Sequence, residues 1–336
     1  MATIHDVCRV AGVSIATVSR VINGARHVRQ STRERVEEVM KELDYRPSSF
    51  AQTLATNKSN SIGLVLSDFD GNYYGSLLKQ ASVSCEKMNK QLLIADGHNS
   101  VDGELKAAMS LVEKKCEVII LYSRMCSDDQ LAEFMASVDV PVIHFGRKVP
   151  RRLGCSVSFD QNEAAFTALS HLVNLKHEKI IYVGPPQVTI SRRQRHNGFI
   201  SAAKKLSLSD WQMIEAEYSI TDGYRAFMDA FTLFKGKYTA VVAACDEIAV
   251  GIQRACMELG VKIPDELSLV SIDNEELSSF VTPKLTTVNV PIKDMTSYAI
   301  DAVYEKLIND DTLKSKVFRG ELIIRESTGI NPHISR

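Results

Sequence analysis

Gly12-Val13-Ser14-Ile15-Ala16-Thr17-Val18-Ser19-Arg20-Val21-Ile22-Asn23-Gly24 reads as a short helix with a stop signal at each end. The Ser14 hydroxyl can accept a backbone N–H one turn on, and Gly24 can take the left-handed conformation that ends a helix. At about 3.6 residues per turn, Thr17, Val18 and Val21 share one face with Ile22 at its edge. Ile15, Ala16, Ser19 and Arg20 fall on the other, free to touch a partner. Upstream, Thr3-Ile4-His5-Asp6 has the form of a capping box, and Ile4, Val7, Cys8 and Ala11 recur at helical spacing. Gly12 and Val13 leave room only for a tight turn, which makes the pair a helix-turn-helix. Downstream, Ser31-Thr32-Arg33-Glu34 predicts the cap of a third helix, whose Val36, Val39, Met40 and Leu43 close an all-α core.

Charge is unevenly spread. Residues 1–60 hold nine Lys and Arg against six Asp and Glu, while the whole chain is at -1, so the rest is slightly acidic. A basic module on an acidic body suits contact with phosphates, where cationic side chains displace counterions.

Two runs, Thr17-Val18-Ser19-Arg20-Val21-Ile22-Asn23-Gly24 and Tyr45-Arg46-Pro47-Ser48, resemble the DNA-binding end of the lactose-repressor and galactose-repressor family, and the likeness continues along the chain. It implies a homodimeric, cytoplasmic transcriptional regulator whose second helix enters the major groove of a near-palindromic operator, one half-site per subunit. Ile15, Ala16 and Arg20 match the base-reading positions. Arg20 can donate a bidentate pair to guanine, and Ile15 and Ala16 can offer apolar contact, for instance to a thymine methyl. Ser14, Thr17 and Ser19 suit phosphates or the helix core, and Thr3, Asn23 and Ala55 complete the implied DNA-binding set. Pro47 to Ala55 has about two turns of helical residues, too few to be stable alone. In the family this hinge folds on the operator and drives a leucine into the minor groove; Leu54 matches it. The expected organisation is a helix-turn-helix domain over 1–46, a hinge and linker over 47–60, and a body over 61–336.

From residue 61 the pattern changes to short apolar runs alternating with amphipathic stretches, the signature of doubly wound α/β structure. The predicted strands are Ile62 to Leu66, Leu92 to Ala95, Val118 to Tyr122, Val142 to Phe145, Ile180 to Val183, Ala240 to Ala244 and Leu267 to Ile272, with helices between. A body of this length tends to split. The resemblance implies the periplasmic-binding-protein type I fold: lobe 1 about 61–160 and 289–318, lobe 2 about 161–288 and 319–336. The chain then crosses near Asp160, Val288 and Phe318, and an effector sits in the cleft between lobes.

Open α/β sheets bind ligands at the carboxyl ends of their strands. Tyr73, Tyr74, Arg147, Arg195, Asp246 and Asp273 fall there, and aromatic rings, guanidinium forks and carboxylates together suit a polar ring such as a sugar. By resemblance Arg195 and Asp273 match effector-contacting positions directly, with Tyr73, Arg147, Asp160, Tyr218 and Asp246 beside them. Cys245, Gly146 and Ser271 stand where many members carry an amide, a polar residue and a glycine. The implied effector is a sugar, glycoside or sugar phosphate, with a purine-like corepressor as the variant within the family.

Two other classes share parts of this pattern. Leu64-Val65-Leu66-Ser67-Asp68-Phe69-Asp70-Gly71 resembles the haloacid-dehalogenase phosphatase motif, in which Asp68 would be nucleophile and Asp70 general acid with Mg²⁺ between. Asn72 stands where Thr or Val is usual, and no downstream lysine and acidic pair follows in order. A solute-binding protein could share the body but not the basic helix-turn-helix. Seven cysteines without a Cys-x-x-Cys, and no apolar run of spanning length, fit reduced thiols in a cytoplasm. No other enzyme motif, metal-ligand spacing or cofactor signature is found. The chain ends at Arg336 without a heptad stretch, so a zipper-type tetramer is not expected.

Overall fold

The computed structural model describes residues 2–22, 27–46, 59–69, 71–186, 190–208, 210–309 and 314–333. They form two compact units, Met1–Asn60 and Ser61–Arg336. Within the first, α1 (Ile4–Ala11), α2 (Ile15–Ile22) and α3 (Gln30–Glu42) enclose Val7, Ala11, Val18, Val21, Val36 and Val39. The capping box at Thr3 is formed: its hydroxyl accepts from Asp6 N, and Asp6 Oδ2 accepts from Thr3 N at 3.0 Å. Gly12 ends α1 at φ +69°, a conformation that favours glycine, and so turns the chain into α2. Ser14 Oγ accepts from Thr17 N at 3.2 Å. The second predicted box is not used. α3 starts two residues earlier, after Arg29, which makes no side-chain cap, and Ser31 lies inside the helix. Asn23, Gly24, Leu54 and Ala55, with the hinge assignment, lie outside the described residues.

The body holds two six-stranded sheets. In the first, β1 (Ser61–Leu66), β2 (Gln91–Asp96), β3 (Val118–Leu121), β4 (Val142–Gly146), β5 (Cys155–Phe159) and β11 (Lys316–Phe318) lie in the order β11-β5-β4-β3-β1-β2, all parallel. The intervening helices are α4 (Asn72–Lys87), α5 (Val101–Glu113) and α6 (Asp128–Ala136). The second sheet has the order β12-β10-β9-β8-β6-β7 and is built from β6 (Lys179–Gly184), β7 (Asp210–Glu215), β8 (Ala240–Ala243), β9 (Ser268–Asp273), β10 (Thr286–Asn289) and β12 (Leu322–Ile323). Its helices are α7 (Gln161–Asn174), α8 (Ile190–Lys205), α9 (Ile220–Phe234) and α10 (Asp246–Leu259), and α11 (Ile292–Asn309) returns to pack on the first lobe. Both layers of helices bury the central strands completely, which is why those strands read as unbroken apolar runs.

The chain passes between sheets after β5, after β10 and between β11 and β12. These passages bond to one another: Asp160 N donates to Phe318 O at 2.9 Å, and Asn289 N to Glu321 O at 2.8 Å. The carboxyl ends of both sheets therefore face a shared gap. On the outside of the second sheet α9 and α10 cross closely. A Cβ on Gly223 would fall 2.6 Å from Ile248 O, and one on Gly251 would fall on the Ile220 carbonyl. Gly251→Ala should therefore destabilise the body by at least about 1–3 kcal/mol through overpacking. Its thermal midpoint, compared with wild type, checks this, and an unchanged midpoint would show that the two backbones separate freely.

Candidate functional site: an exposed helix face and an interlobe cavity

In the N-terminal unit, α2 divides as its periodicity requires. Val18 and Val21 are buried, whereas Ile15, Ala16 and Arg20 are exposed. Ile15 is 46% exposed although it is a large aliphatic, whereas Val7, Val18, Val21, Val36 and Val39 are spent on the core. Thr17 is half-buried and tied to Ser14 by a 3.0 Å hydroxyl contact; Ser19 is also half-buried, and Thr3 is exposed at the cap of α1.

The body's cavity, about 460 Å³, opens between the two lobes. Tyr73 and Tyr74 enter it from the first turn of α4, and Tyr122 from the end of β3, as mutually tilted rings 5.5–6.3 Å apart. Gly146 makes this possible. Its φ of +86° and missing side chain leave the space that the Tyr122 ring occupies, so the departure from a polar residue at 146 brings an aromatic into the wall. Across the gap, Tyr218 has the guanidinium carbons of Arg124, Arg192 and Arg195 at 5.9, 5.6 and 5.9 Å from its ring centre. Burial raises the pKa of Tyr73, Tyr74, Tyr122 and Tyr218, so all four are neutral phenols at pH 7.

Arg195, on α8, is the most tightly held of the cavity cations. Nε donates to Gln161 Oε1 at 2.7 Å, one terminal nitrogen donates to the Ala244 carbonyl, and the other to Asp273 Oδ1 at 3.4 Å. Asp273 ends β9 at φ +124°, strained for a residue with a Cβ. Burial raises its pKa, and Arg195 opposes that shift. Asn274, also at positive φ, accepts from Arg325 at 2.7 Å and donates to Asn289 at 3.1 Å, which fixes the turn.

Three expected site residues are not brought to the cavity. Asp246 is 1% exposed behind it, where Thr287 and Ser271 hydroxyls and Glu275 N all donate to its carboxylate; Ser271, the second departure, serves to hold Asp246. Arg147 is 3% exposed and pairs with Asp128 at 3.2 Å. Asp160 caps α7, accepting from Glu163 N at 3.1 Å. In each case the carboxylate or guanidinium at a strand end serves the fold. Cys245, the third departure, does line the cavity, and its sulfur caps α10.

Several wall residues went unpredicted. Arg124 lies in the loop three residues beyond β3, so the strand-end rule extended along that loop would have found it. Its loop is anchored by Glu104, a fully buried carboxylate of α5 that accepts from Ser67 and Ser123 hydroxyls at 2.7 and 2.6 Å and from Arg124 N and Met125 N at 2.9 and 3.1 Å. Asp68 lines the cavity with its carboxylate accepting from Phe69 N and Asn99 Nδ2 at 2.7 and 2.5 Å; Asp70 lies outside the described residues. Among the described residues no group of His, Cys, Asp and Glu is placed to hold a metal ion, and no helix is long and apolar enough to cross a membrane.

Two further carboxylates, Glu247 and Glu275 of the second lobe, reach the start of α4 in the first. Asn72 and Tyr73 there oppose the burial that raises the pKa of these two acids. Negative charge is favoured at a helix N-terminus. Burial, with Glu247 and Asp246 nearby, nevertheless pushes the Glu275 pKa from 4.5 up to about 7. An acid whose folded pKa is raised loses its stabilising contribution as pH climbs from its unfolded value through its folded one. The thermal midpoint of wild type relative to Glu275→Gln should accordingly fall between pH 4.5 and about 7 and then level off. A difference independent of pH across that window would show that Glu275 titrates normally.

Residues 3–48 match the family described as bacterial regulatory proteins, lacI family, and residues 169–328 match the periplasmic binding protein-like domain. The HTH-type transcriptional regulator AscG of Escherichia coli is 30% identical over 330 residues, 97% of this chain and 98% of that protein. GalR of Escherichia coli is 30% identical over 304 residues, 90% and 88% of the two chains. Among solved structures, a lac repressor dimer bound to operator and the anti-inducer ONPF superposes with a TM-score of 0.87 at 26% identity, covering 98% of this chain and 99% of that one. The chain belongs to the lacI family of bacterial regulatory proteins, DNA-binding transcriptional regulators that carry an effector-binding body.

Proposed function

We propose that the protein represses transcription in the cytoplasm as a homodimer on a palindromic operator, and that a sugar or sugar derivative in the interlobe cavity controls its affinity for DNA. The observation that carries this reading is the combination, in one chain, of an exposed Ile15-Ala16-Arg20 face and a cavity walled by tyrosines, guanidiniums and carboxylates. Aromatic faces stack on sugar rings, and charged forks bond ring hydroxyls. One lac repressor structure is a dimer bound to operator and the anti-inducer ONPF, and a second, at 26% identity, is bound to ONPG in the repressed state. Catalysis forms no part of this role, in keeping with relatives that are named as regulators. Asp68 belongs to the effector wall.

Arg20 reads a base in this scheme. Arg20→Ala should weaken binding to an operator selected from a random duplex pool by about 1–3 kcal/mol and relax preference at one position per half-site. Uniform binding across sequences by the wild-type protein would sink the regulator role. Arg195→Ala should leave operator affinity in place but remove its response to the ligand, read in the same gel-shift assay. A retained response would place the effector elsewhere.

A further inference from the structure

The three cavity arginines are not equivalent. Arg192 meets Glu217 at 2.7 Å and Arg195 meets Asp273 at 3.4 Å, each an ion pair. Arg124 has no carboxylate within ion-pair distance among the described residues. One terminal nitrogen donates to Tyr74 Oη at 2.7 Å, and its Nε is buried without a hydrogen-bond partner. The acid beside it, Glu104, is fully engaged with backbone amides and hydroxyls, including Arg124's own N–H. That carboxylate fixes where the arginine sits without neutralising its head. Around the guanidinium stand the neutral rings of Tyr74, Tyr122 and Tyr218.

A sunken guanidinium with an orphaned N–H is costly unless something supplies negative charge. Desolvated guanidinium forks match planar or tetrahedral oxyanions better than they match single hydroxyls. Resting on the cavity as the effector site, we propose that the effector is an anionic sugar, and that its phosphate or carboxylate docks on Arg124. Arg192, whose guanidinium lies by the same Tyr218 ring from the second lobe, would share the anion and so join the lobes. The opposing charge at the cavity comes from Asp68, Asp222, Glu247 and Glu275. Asp68 already accepts from Asn99 and Asp222 from Ser219, and the two glutamates sit by the head of α4, where burial raises their pKa values. The sugar itself is left to the tyrosines, Arg195 and Asp273.

The test is calorimetric titration of the full chain with glucose, glucose 6-phosphate, glucuronate and inorganic phosphate, repeated on Arg124→Gln, Arg124→Lys and Arg195→Ala. The anionic sugars should bind roughly ten- to a hundredfold more tightly than glucose, the size of a charge-assisted bond. That advantage should vanish in Arg124→Gln, survive in part in Arg124→Lys, and shrink with added salt. Phosphate-only preference identifies a sugar phosphate, and glucuronate-only preference a sugar acid. Glucose binding as well as its anionic counterparts, an anion advantage that persists in Arg124→Gln, or no binding by any anionic probe overturns the proposal. Failure of the cavity reading looks different: every bound probe, glucose included, would then be indifferent to Arg195→Ala.

Discussion

Arg195 is the residue through which the interlobe cavity hangs together. Its three donors end on three separate pieces of chain: Gln161 at the first passage between lobes, the Ala244 carbonyl beyond β8, and Asp273 at the end of β9. A guanidinium is one of the few groups that can do this, because its donors are rigidly splayed and its charge survives burial. Removing it would free the chain ends that form the cavity's second-lobe wall and leave Asp273 buried and unpaired. Asp273 in turn holds a backbone conformation that a side chain normally avoids, supported from behind by Asn274 and Arg325. The strain is local, and it aims a carboxylate into the gap.

The helix-turn-helix unit rests on a different constraint, the smallness of its core. Six buried valines and alanines, plus a half-buried rim, are all that three short helices share. Such helices are marginal alone, so caps matter in proportion. Thr3, Gly12 and Ser14 satisfy ends that the core is too small to protect. Even so, Val10 and Ile15 are left largely exposed on this small unit.

Much of this was legible in the sequence, for physical reasons that also explain the gaps. Central strands such as Ile62 to Leu66 are buried on both faces, so they show as apolar runs. β5, Cys-Ser-Val-Ser-Phe, is equally buried but carries serines whose polarity hides it, and β7, at the sheet edge, is half-exposed with Gln212 and Glu215. At the site, the strand-end rule located Tyr73, Tyr74, Arg195 and Asp273, but it cannot tell a residue facing the gap from one turned under the sheet. Asp246 and Arg147 are turned under, and the partners that hold them, Thr287, Ser271 and Asp128, are distant in sequence. Glu247 and Glu275 were beyond reach because their partner, the start of α4, belongs to the other lobe.

Those two glutamates bear on how a small molecule controls DNA. They stand beside Asn72 and Tyr73 of the other lobe, so their surroundings depend on the lobe angle. An effector moves an equilibrium only by its difference in affinity between states, and about 5.5 kcal/mol reverses a population from one extreme to the other. Charge-assisted hydrogen bonds contribute about 1.5–3 kcal/mol each, so two to four contacts made in one lobe arrangement alone are enough. The cavity offers that number across the gap, from Arg124 and the tyrosines on one side to Arg192, Arg195 and Asp273 on the other. Because the coupling is reciprocal, operator DNA must shift effector affinity by the same factor that the effector shifts operator affinity. A site whose polar groups are divided between lobes is suited to that exchange, since neither half alone completes the set of contacts.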